Sequence, residues 1–490
     1  MSPDVAQGRP YSDCAQVAFT EQDITLFSEA SGDRNPLHLS LPYAQRTPYG
    51  QPVAFGCLGA LACIGLIKIP ADTCVDSLSA DFLRPLFSGV QYQLKMKRGA
   101  SFLEAGLFDG SSTVMLVKAT ASASSGANSW KGDESLGVFR CAVSSPLQPH
   151  EIARGVSASG SYACNGRALT RLTERWGVKD PLVALGLCWT SYLVGMELPG
   201  ESALFFKLAL RFQRETASNF PMQYQARIAY AGFDQIKIVA DLGCGGKSLA
   251  SGQCWSYVRP PVPPIENADP TGVVPGSLAG KIAVITGVSR GLGAAIARAL
   301  EVRGAIVYGI SRSECELDAS QVERGDAADP EISTQLRERI LRKHGRLDYL
   351  ICNASPPLLP LTLERNGANR IAAFIQSTIA LTLFPLCELS DLLQRSDACL
   401  VIISSVAAES PVKEWPHYVA AKRAIEALGS VAVLQHPSLR TLIVRPEKLM
   451  TNLTNTPMGH VNAGSPKELA RRLAERLEDP PAPGVVEILY

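Results

Sequence analysis

The stretch "KIAVITGVSRGLGAAIARALEVRG" fills residues 281–304. Its first part, "KIAVITG" (281–287), reads as a buried strand running into a glycine turn. "GAAIARALEVRG" (293–304) reads as an amphipathic helix. Further apolar strands follow at "AIVYGIS" (305–311), "LDYLICNAS" (347–355), "ACLVIISS" (398–405) and "RTLIVRP" (440–446), with helical segments between them. Strands alternating with helices predict an α/β doubly wound parallel sheet over residues 280–490.

In such a Rossmann arrangement the first turn holds a dinucleotide. Gly287 allows the tight turn, and Gly291 and Gly293 allow close approach of phosphate and of helix to sheet. Ser289, Arg290 and Leu292 complete the turn, and the helix start offers N–H groups and a positive dipole end. The second strand ends at Ser311 and Arg312, where an NAD site usually carries an acid for the ribose 2′-hydroxyl. An arginine there, with Arg290 in the turn, suits a 2′-phosphate and favours NADP(H) over NAD(H). The plainer alternative for Arg312 is a solvated surface charge.

"YVAAK" (418–422) sets Tyr418 and Lys422 four residues apart, on one helix face. An ammonium beside a phenol lowers its pKa from about 10 and makes it a usable acid. Ser405, thirteen residues before Tyr418, can hold a carbonyl oxygen. A nicotinamide on one face and a proton donor on the oxygen is what hydride transfer to a ketone needs. A tyrosine merely packed on a helix is the bland reading, and the register of Ser405 and the glycine turn outweighs it.

With these motifs, residues 280–457 resemble a short-chain dehydrogenase/reductase, in style a 3-oxoacyl-carrier-protein reductase. The resemblance implies Ser405 as carbonyl orienter, Tyr418 as acid/base, and Lys422 as tyrosine activator and ribose contact. It places Asp326 of "GDAAD" on the adenine side, and adds Asn353 of "CNAS" and Thr451 of "RPEKLMT" to the cofactor site. Cys352 and Ser355 depart from the family's N-N-A-G, and Glu447 stands where a glycine is usual. The family's fourth catalytic residue, an asparagine, is not evident; Gln376 in "AFIQSTIALTLF" is the candidate for its place.

Upstream the texture differs. An apolar helical segment, "VAFGCLGALACIGLI" (53–67), precedes strand-like "DSLSADFL" (76–83), "FSGVQYQLKM" (87–96) and "TVMLVKATASA" (113–123). The order recurs as "LVALGLCWTSYLVGM" (182–196), "SALFFKLALRF" (202–212), "NFPMQYQARI" (219–228) and "QIKIVADLG" (235–243). A long apolar helix wrapped by antiparallel strands is a hot-dog layout, and two copies predict an α+β double hot dog. Residues 1–130 form the expected first hot dog and 131–258 the second. A Pro/Gly-rich linker is expected at 259–279.

In the first repeat, "EASGDRNPLHLSLPYA" (29–44) brings Asp33, Asn35 and His38 close in sequence. Thr20 is a helix cap for "TEQDITLFSEA" (20–30), and Pro36 is read as ending helical order, leaving these residues on or beside a loop. Asp33 can orient a water while His38 takes or gives a proton. N–H groups where "YGQPVAFGCLGAL" (49–61) enters the apolar helix, for instance at Gly56, can polarise a thioester carbonyl. That set suits reversible water addition across a 2,3-enoyl thioester. An isolated D-x-x-x-x-H is more often a capping Asp and a surface His, but the longer string resembles the MaoC-like family, over about residues 11–125. That family contains (R)-specific enoyl-thioester hydratases and 3-hydroxyacyl dehydratases. The resemblance implies Asp33 and His38 as the catalytic pair and Gly56 as oxyanion donor. The second repeat lacks the D-x-N-P-x-H string and is expected to be catalytically silent, kept for packing and for shaping an acyl tunnel.

Together the two sites predict a bifunctional enzyme that reduces 3-oxoacyl thioesters and dehydrates the 3-hydroxyacyl products, with acyl carrier protein or coenzyme A as carrier. A β-oxidation hydratase/dehydrogenase and a non-catalytic acyl-binding scaffold are the alternatives. With 47 basic and 46 acidic residues, the net charge of +1 offers no field for nucleic acid or anionic lipid. Thirteen scattered cysteines without C-x-x-C pairs predict free thiols in a reducing cytosol and no metal site. No signal peptide and no membrane-spanning segment is expected. Homodimerisation is expected by analogy.

Overall fold

The computed structural model describes residues 13–67, 73–99, 101–123, 147, 151–213, 222–232, 235–259, 276–455, 459 and 461–490. Contacts divide the chain into two compact units, residues 1–45 with 51–261 and residues 46–50 with 262–490. Most of the expected linker, and the N-terminal segment read for a signal peptide, lie outside the described residues.

The first unit opens with β1 (Asp13–Ala18), α1 (Glu21–Ser31), α2 (Pro36–Leu39), α3 (Leu41–Ala44) and α4 (Gly56–Leu66). β2 (Thr73–Phe82), β3 (Gln91–Arg98), β4 (Phe102–Asp109) and β5 (Ser112–Ala123) follow. The second repeat has β6 (Ser157–Tyr162), α5 (Gly166–Trp176), α6 (Pro181–Tyr192), β7 (Ala203–Phe212), β8 (Met222–Gly232), β9 (Gln235–Cys244) and β10 (Lys247–Val258). One ten-stranded antiparallel sheet joins them in the order β1-β3-β4-β5-β2-β7-β10-β9-β8-β6. Read outward from the centre, β2-β5-β4-β3-β1 is mirrored by β7-β10-β9-β8-β6, which is the double hot dog. β2 and β7 form the seam, from Ser77 opposite Arg211 to Asp81 opposite Lys207. The apolar helices α4 and α6 touch, and nearly every residue of each is buried. Helices apolar all round belong inside a core.

Local signals explain the start of this unit. Thr20 and Asp23 form a reciprocal capping box at α1: the Asp23 amide donates to Thr20 Oγ1 and the Thr20 amide to Asp23 Oδ2. The helix ends at Gly32, whose φ of 75° is left-handed and turns the chain into Asp33. Pro36 behaves differently from expectation. It opens a helical turn, as the first residue of α2, because a missing N–H costs nothing there. Asp33 and Asn35 therefore sit in a loop, while His38 is on a short helix.

The second unit is a seven-stranded parallel sheet. Its elements are β11 (Ile282–Thr286), α7 (Gly291–Glu301), β12 (Ile306–Ser311), β13 (Val322–Arg324), α8 (Pro330–Lys343), β14 (Tyr349–Cys352) and α9 (Ala368–Glu388). Then come α10 (Ser390–Leu393), β15 (Cys399–Ile403), α11 (Pro416–Gln435), β16 (Arg440–Val444), α12 (Pro466–Glu478) and β17 (Val486–Leu489). The strand order β13-β12-β11-β14-β15-β16-β17 reverses direction between β11 and β14. That switch point opens the crevice where such sheets bind ligands. β11 is buried throughout, as a strand covered on both faces must be. The buried side chains of α7 and α12 form one core layer; those of α8, α9 and α11 contribute to the other. α9 is, by length and composition alone, long and apolar enough to cross a membrane, although Arg370 and Glu388 leave no uncharged run of about 20 residues in it. It packs against α11 and α8.

Candidate active sites

In the hot-dog unit, Asp33 is buried directly after Gly32. Its Oδ1 accepts the Asn35 amide at 3.0 Å, and its Oδ2 accepts the hydroxyl of Ser191 at 2.7 Å. Asn35 caps α2 by accepting the Leu37 amide at 3.0 Å, and its Nδ2 donates to the carbonyls of Gly195 (3.3 Å) and Glu201 (3.4 Å). The loop is thus tied on one side to the second repeat. His38 is tied on the other side, with Nδ1 2.6 Å from the Val53 carbonyl. A carbonyl only accepts, so the proton sits on Nδ1 and Nε2 keeps its lone pair. The imidazole lies on Phe55, centroid to centroid 3.9 Å. Phe55 is the N-cap of α4 and supplies no capping side chain, so α4 starts at Gly56 without a side-chain cap. His38 and the start of α4 therefore meet around one aromatic ring.

The electrostatics divide the roles. Burial pulls the His38 imidazole down to about 4, with Arg259 pushing the same way, and the ring is a neutral base at neutral pH. Burial pushes the Asp33 carboxyl up to about 6, against the lowering by Ser191 and Asn35. Asp33 can therefore exchange a proton close to neutrality. Ser191, Gly195 and Arg259 escaped the sequence reading. Arg259 is buried, and its Nη2 donates to Tyr43 Oη at 2.8 Å and to the Glu201 carbonyl at 3.2 Å. The one available signal was Thr190–Ser191, a polar pair inside an apolar helix.

In the second unit the glycine turn closes tightly. Gly287 and Gly291 have φ of 72° and 57°. A Cβ on Gly293 would lie 2.2 Å from the Gly287 carbonyl oxygen, which only glycine tolerates. Asn353 Nδ2 donates to the carbonyls of Thr286 (3.1 Å) and Gly287 (3.2 Å), bracing the turn from the end of β14. Arg290 is the N-cap of α7 and gives no side-chain cap, so the first amides of α7 remain for a ligand. Ser289 lies in the turn, half-buried. Leu292 packs into the core, so its contribution to the turn is its amide. Gly291 faces Thr451, whose Cγ2 would stand 3.4 Å from an added Cβ. Arg312 pairs with Asp326 at 3.7 Å. Burial, with Arg312 nearby, holds the Arg290 guanidinium below its usual value. These residues fit the pyrophosphate and ribose of a dinucleotide, and two cations share the corner beside Asp326.

Ser405 follows β15 and hydrogen-bonds Tyr418 on α11. Lys422 is buried one turn on; its Nζ donates to the Ile403 carbonyl at 2.7 Å and stands 5.5 Å from the Tyr418 ring centroid. One expectation is corrected here. Tyr418 is not lowered by Lys422: burial raises its phenol, opposed by the bond to Ser405. The reason is that desolvation of the phenol outweighs the ammonium: Lys422, its amine pulled down to about 8, is still largely a cation at neutral pH, and its proton is directed at a backbone oxygen. Gln376 is also corrected: it is exposed on α9, away from the interior. The buried polar residue near it is Thr378, whose hydroxyl donates to the Phe374 carbonyl at 2.9 Å. Glu447 is exposed and outside the left-handed region, so its position does not require the glycine the family favours. Among the described residues no group of three or more His, Cys, Asp or Glu could hold a metal ion.

Comparison with known proteins places each unit in a family. Residues 281–463 match the short chain dehydrogenase family, and residues 4–103 match the MaoC like domain. An uncharacterized oxidoreductase of Mycobacterium tuberculosis is 32% identical over 218 residues, covering 41% of this chain and 81% of that protein. A benzil reductase ((S)-benzoin forming) of Saccharomyces cerevisiae is 29% identical over 199 residues, covering 36% of this chain and 73% of that protein. The structure of an alcohol dehydrogenase from the archaeon Thermococcus sibiricus, complexed with 5-hydroxy-NADP, is 23% identical with a TM-score of 0.36, covering 43% of this chain and 95% of that one. The chain belongs to the short-chain dehydrogenase family, which uses NAD(P), and joins that oxidoreductase domain to an N-terminal MaoC-like dehydratase domain.

Proposed function

We propose that the chain reduces 3-oxoacyl thioesters with NADPH and dehydrates the 3-hydroxyacyl products to 2-enoyl thioesters. The observation that carries this reading is the presence in one chain of two sets of catalytic side chains, Asp33 and His38 at the uncapped start of α4, and Ser405, Tyr418 and Lys422 at the dinucleotide crevice. The two reactions act on consecutive intermediates, so fusing them serves one substrate. The reductase half is read as the 3-oxoacyl-carrier-protein reductase type, acting in trans on acyl carrier protein or coenzyme A in fatty-acid or polyketide chain building. Arg312 and Arg290 support NADP(H) by offering two cations to a 2′-phosphate.

The bound dinucleotide supplies the hydride. Ser405 orients the ketone oxygen, and Tyr418 gives it a proton. In the hot-dog site, His38 Nε2 takes the proton from C2 of the 3-hydroxyacyl thioester, and the start of α4 stabilises the enolate oxygen. Protonated Asp33 gives its proton to the C3 hydroxyl, which leaves as water.

The surroundings support the remaining assignments. The eleven cysteines whose side chains are described are free thiols, consistent with a reducing cytosol. Val431 and Leu434 on α11 expose apolar side chains that suit a homodimer. The near-balanced charge supports neither nucleic-acid nor membrane binding.

The test is NADPH consumption with a 3-oxoacyl thioester, with products resolved by mass, beside Tyr418→Phe and His38→Ala. Enoyl product from the native protein, none from Tyr418→Phe, and accumulation of the hydroxyacyl thioester in His38→Ala is the expected result. NADPH binding without consumption on either carrier would overturn the reductive reading in favour of a scaffold. NAD-dependent oxidation of the hydroxyacyl thioester after enoyl hydration would favour the β-oxidation reading.

A further inference from the structure

We infer that Ser191, in the second repeat, is a positioning residue for the hydratase carboxylate of Asp33, so that the repeat without the catalytic string completes the site. The inference rests on reading Asp33 as part of the hydratase.

A buried serine or threonine inside a helix ordinarily turns its hydroxyl back onto its own preceding turn. Thr190 does so, donating to the carbonyls of Gly186 (2.9 Å) and Leu187 (3.2 Å). Ser191, the next residue and equally buried, does not. Its hydroxyl leaves α6 and donates to Asp33 Oδ2 at 2.7 Å, across 158 residues of sequence. From α6 the chain continues into a π-helical turn, Leu193–Glu197. Such turns redirect backbone and are frequent at functional sites. This one sets Gly195 flush against the same carboxylate. A Cβ on Gly195 would stand 2.5 Å from Asp33 Oδ1, and the Gly195 carbonyl receives Asn35 Nδ2. Two successive features of the second repeat, a diverted hydroxyl and a bare Cα, thus converge on one acid of the first.

The consequence is electrostatic as well as geometric. The titratable groups that face Asp33 are Cys57 on α4, Cys188 on α6 and Tyr162 on β6, and burial keeps each protonated. The hydrogen bonds from Ser191 and from the Asn35 amide therefore stabilise the ionised carboxylate against desolvation.

The experiment compares Ser191→Ala and Ser191→Thr with the native chain. The Asp33 carboxyl is titrated by infrared spectroscopy, its band assigned by its loss in Asp33→Asn, and enoyl-thioester hydration is followed against pH. For Ser191→Ala the expected result is an Asp33 midpoint raised by about one pH unit and a hydration kcat reduced about tenfold near pH 5, where the ionised fraction falls in proportion, with KM within about twofold. Ser191→Thr, which keeps the hydroxyl, restores most of both. Should Ser191→Ala fail to fold, Ser191→Cys, a weaker donor of similar size, is expected to move the midpoint in the same direction. An unchanged midpoint and an unchanged pH profile would overturn the inference. A midpoint that moves in a protein whose native form hydrates no enoyl thioester would leave Ser191 as the partner that sets Asp33 and remove the hydratase reading instead.

Discussion

Glu426 receives two donors from Arg445, Nε on Oε1 and Nη2 on Oε2, each at 2.9 Å, and Ser404 adds its hydroxyl to Oε1. Both charges are buried, and the pair stands one helical turn beyond Lys422. Removing one partner of such a pair strands the other in the core. Glu426→Gln is expected to destabilise the reductase unit by about 3–5 kcal/mol, read by urea unfolding. It should also lower Lys422 further, since Glu426 opposes the effect of burial there.

Tyr418→Phe keeps the ring between Trp415 and Phe374 and removes only the proton donor. Ketone reduction is expected to fall about 10²–10⁴-fold. Dinucleotide affinity, measured by calorimetry, should stay within about twofold of the native value, as the glycine turn is untouched.

Hydration and dehydration should share a basic limb set by Asp33. Its folded value, about 6, lies above the ordinary carboxyl range, so the protonated form that gives its proton to the C3 hydroxyl is lost as pH rises through 6. His38, at about 4, stays neutral across that interval. Dehydration, which needs Asp33 protonated and His38 neutral, is expected to decline above an apparent pKa of about 6, and kcat/KM for hydration, which passes through the same proton count, declines with it; a rate that instead falls as pH drops through 6 would remove Asp33 as the acid. Rates measured at fixed ionic strength decide between them.

Arg312→Glu reverses the charge offered to a 2′-phosphate and places two acids side by side with Asp326. The KM for NADPH is expected to rise at least about tenfold, with a smaller change for NADH, in parallel assays.

Gly195→Ala puts a methyl group within 2.5 Å of Asp33 Oδ1. The carboxylate or the π turn must move. The expected cost is about 1–3 kcal/mol in stability, and hydration should fall more than ketone reduction, assayed on the same preparation.

Much of this architecture could be read from local pattern. The repeat of apolar helix and alternating strands carries its own period, and "TGVSRGLG" imposes backbone demands that few other sequences share. The catalytic strings are legible because their spacing matches a turn or a helical face. What escaped depends on distance. Nothing near Ser191 says that its hydroxyl leaves its own helix, since its partner lies 158 residues away. Gln376 looks suitable by type, but the rotation of α9 puts it in solvent and Thr378 inside. Pro36 is ambiguous, because proline closes one helix and opens another with equal ease. For Tyr418, the four-residue spacing shows the ammonium of Lys422 but not the burial that raises the phenol against it.

The seam between β2 and β7 has a last consequence. There the two repeats meet edge to edge within a single polypeptide. Closure of the ten-stranded sheet is therefore first-order, and dilution does not open it as it would a dimer of separate hot dogs. Each half always has the same neighbour, so neither must remain compatible with a copy of itself. One half can keep Asp33 and His38 while the other gives up those residues and adapts its helix to them, a divergence that a symmetric pair encoded by one sequence cannot undergo.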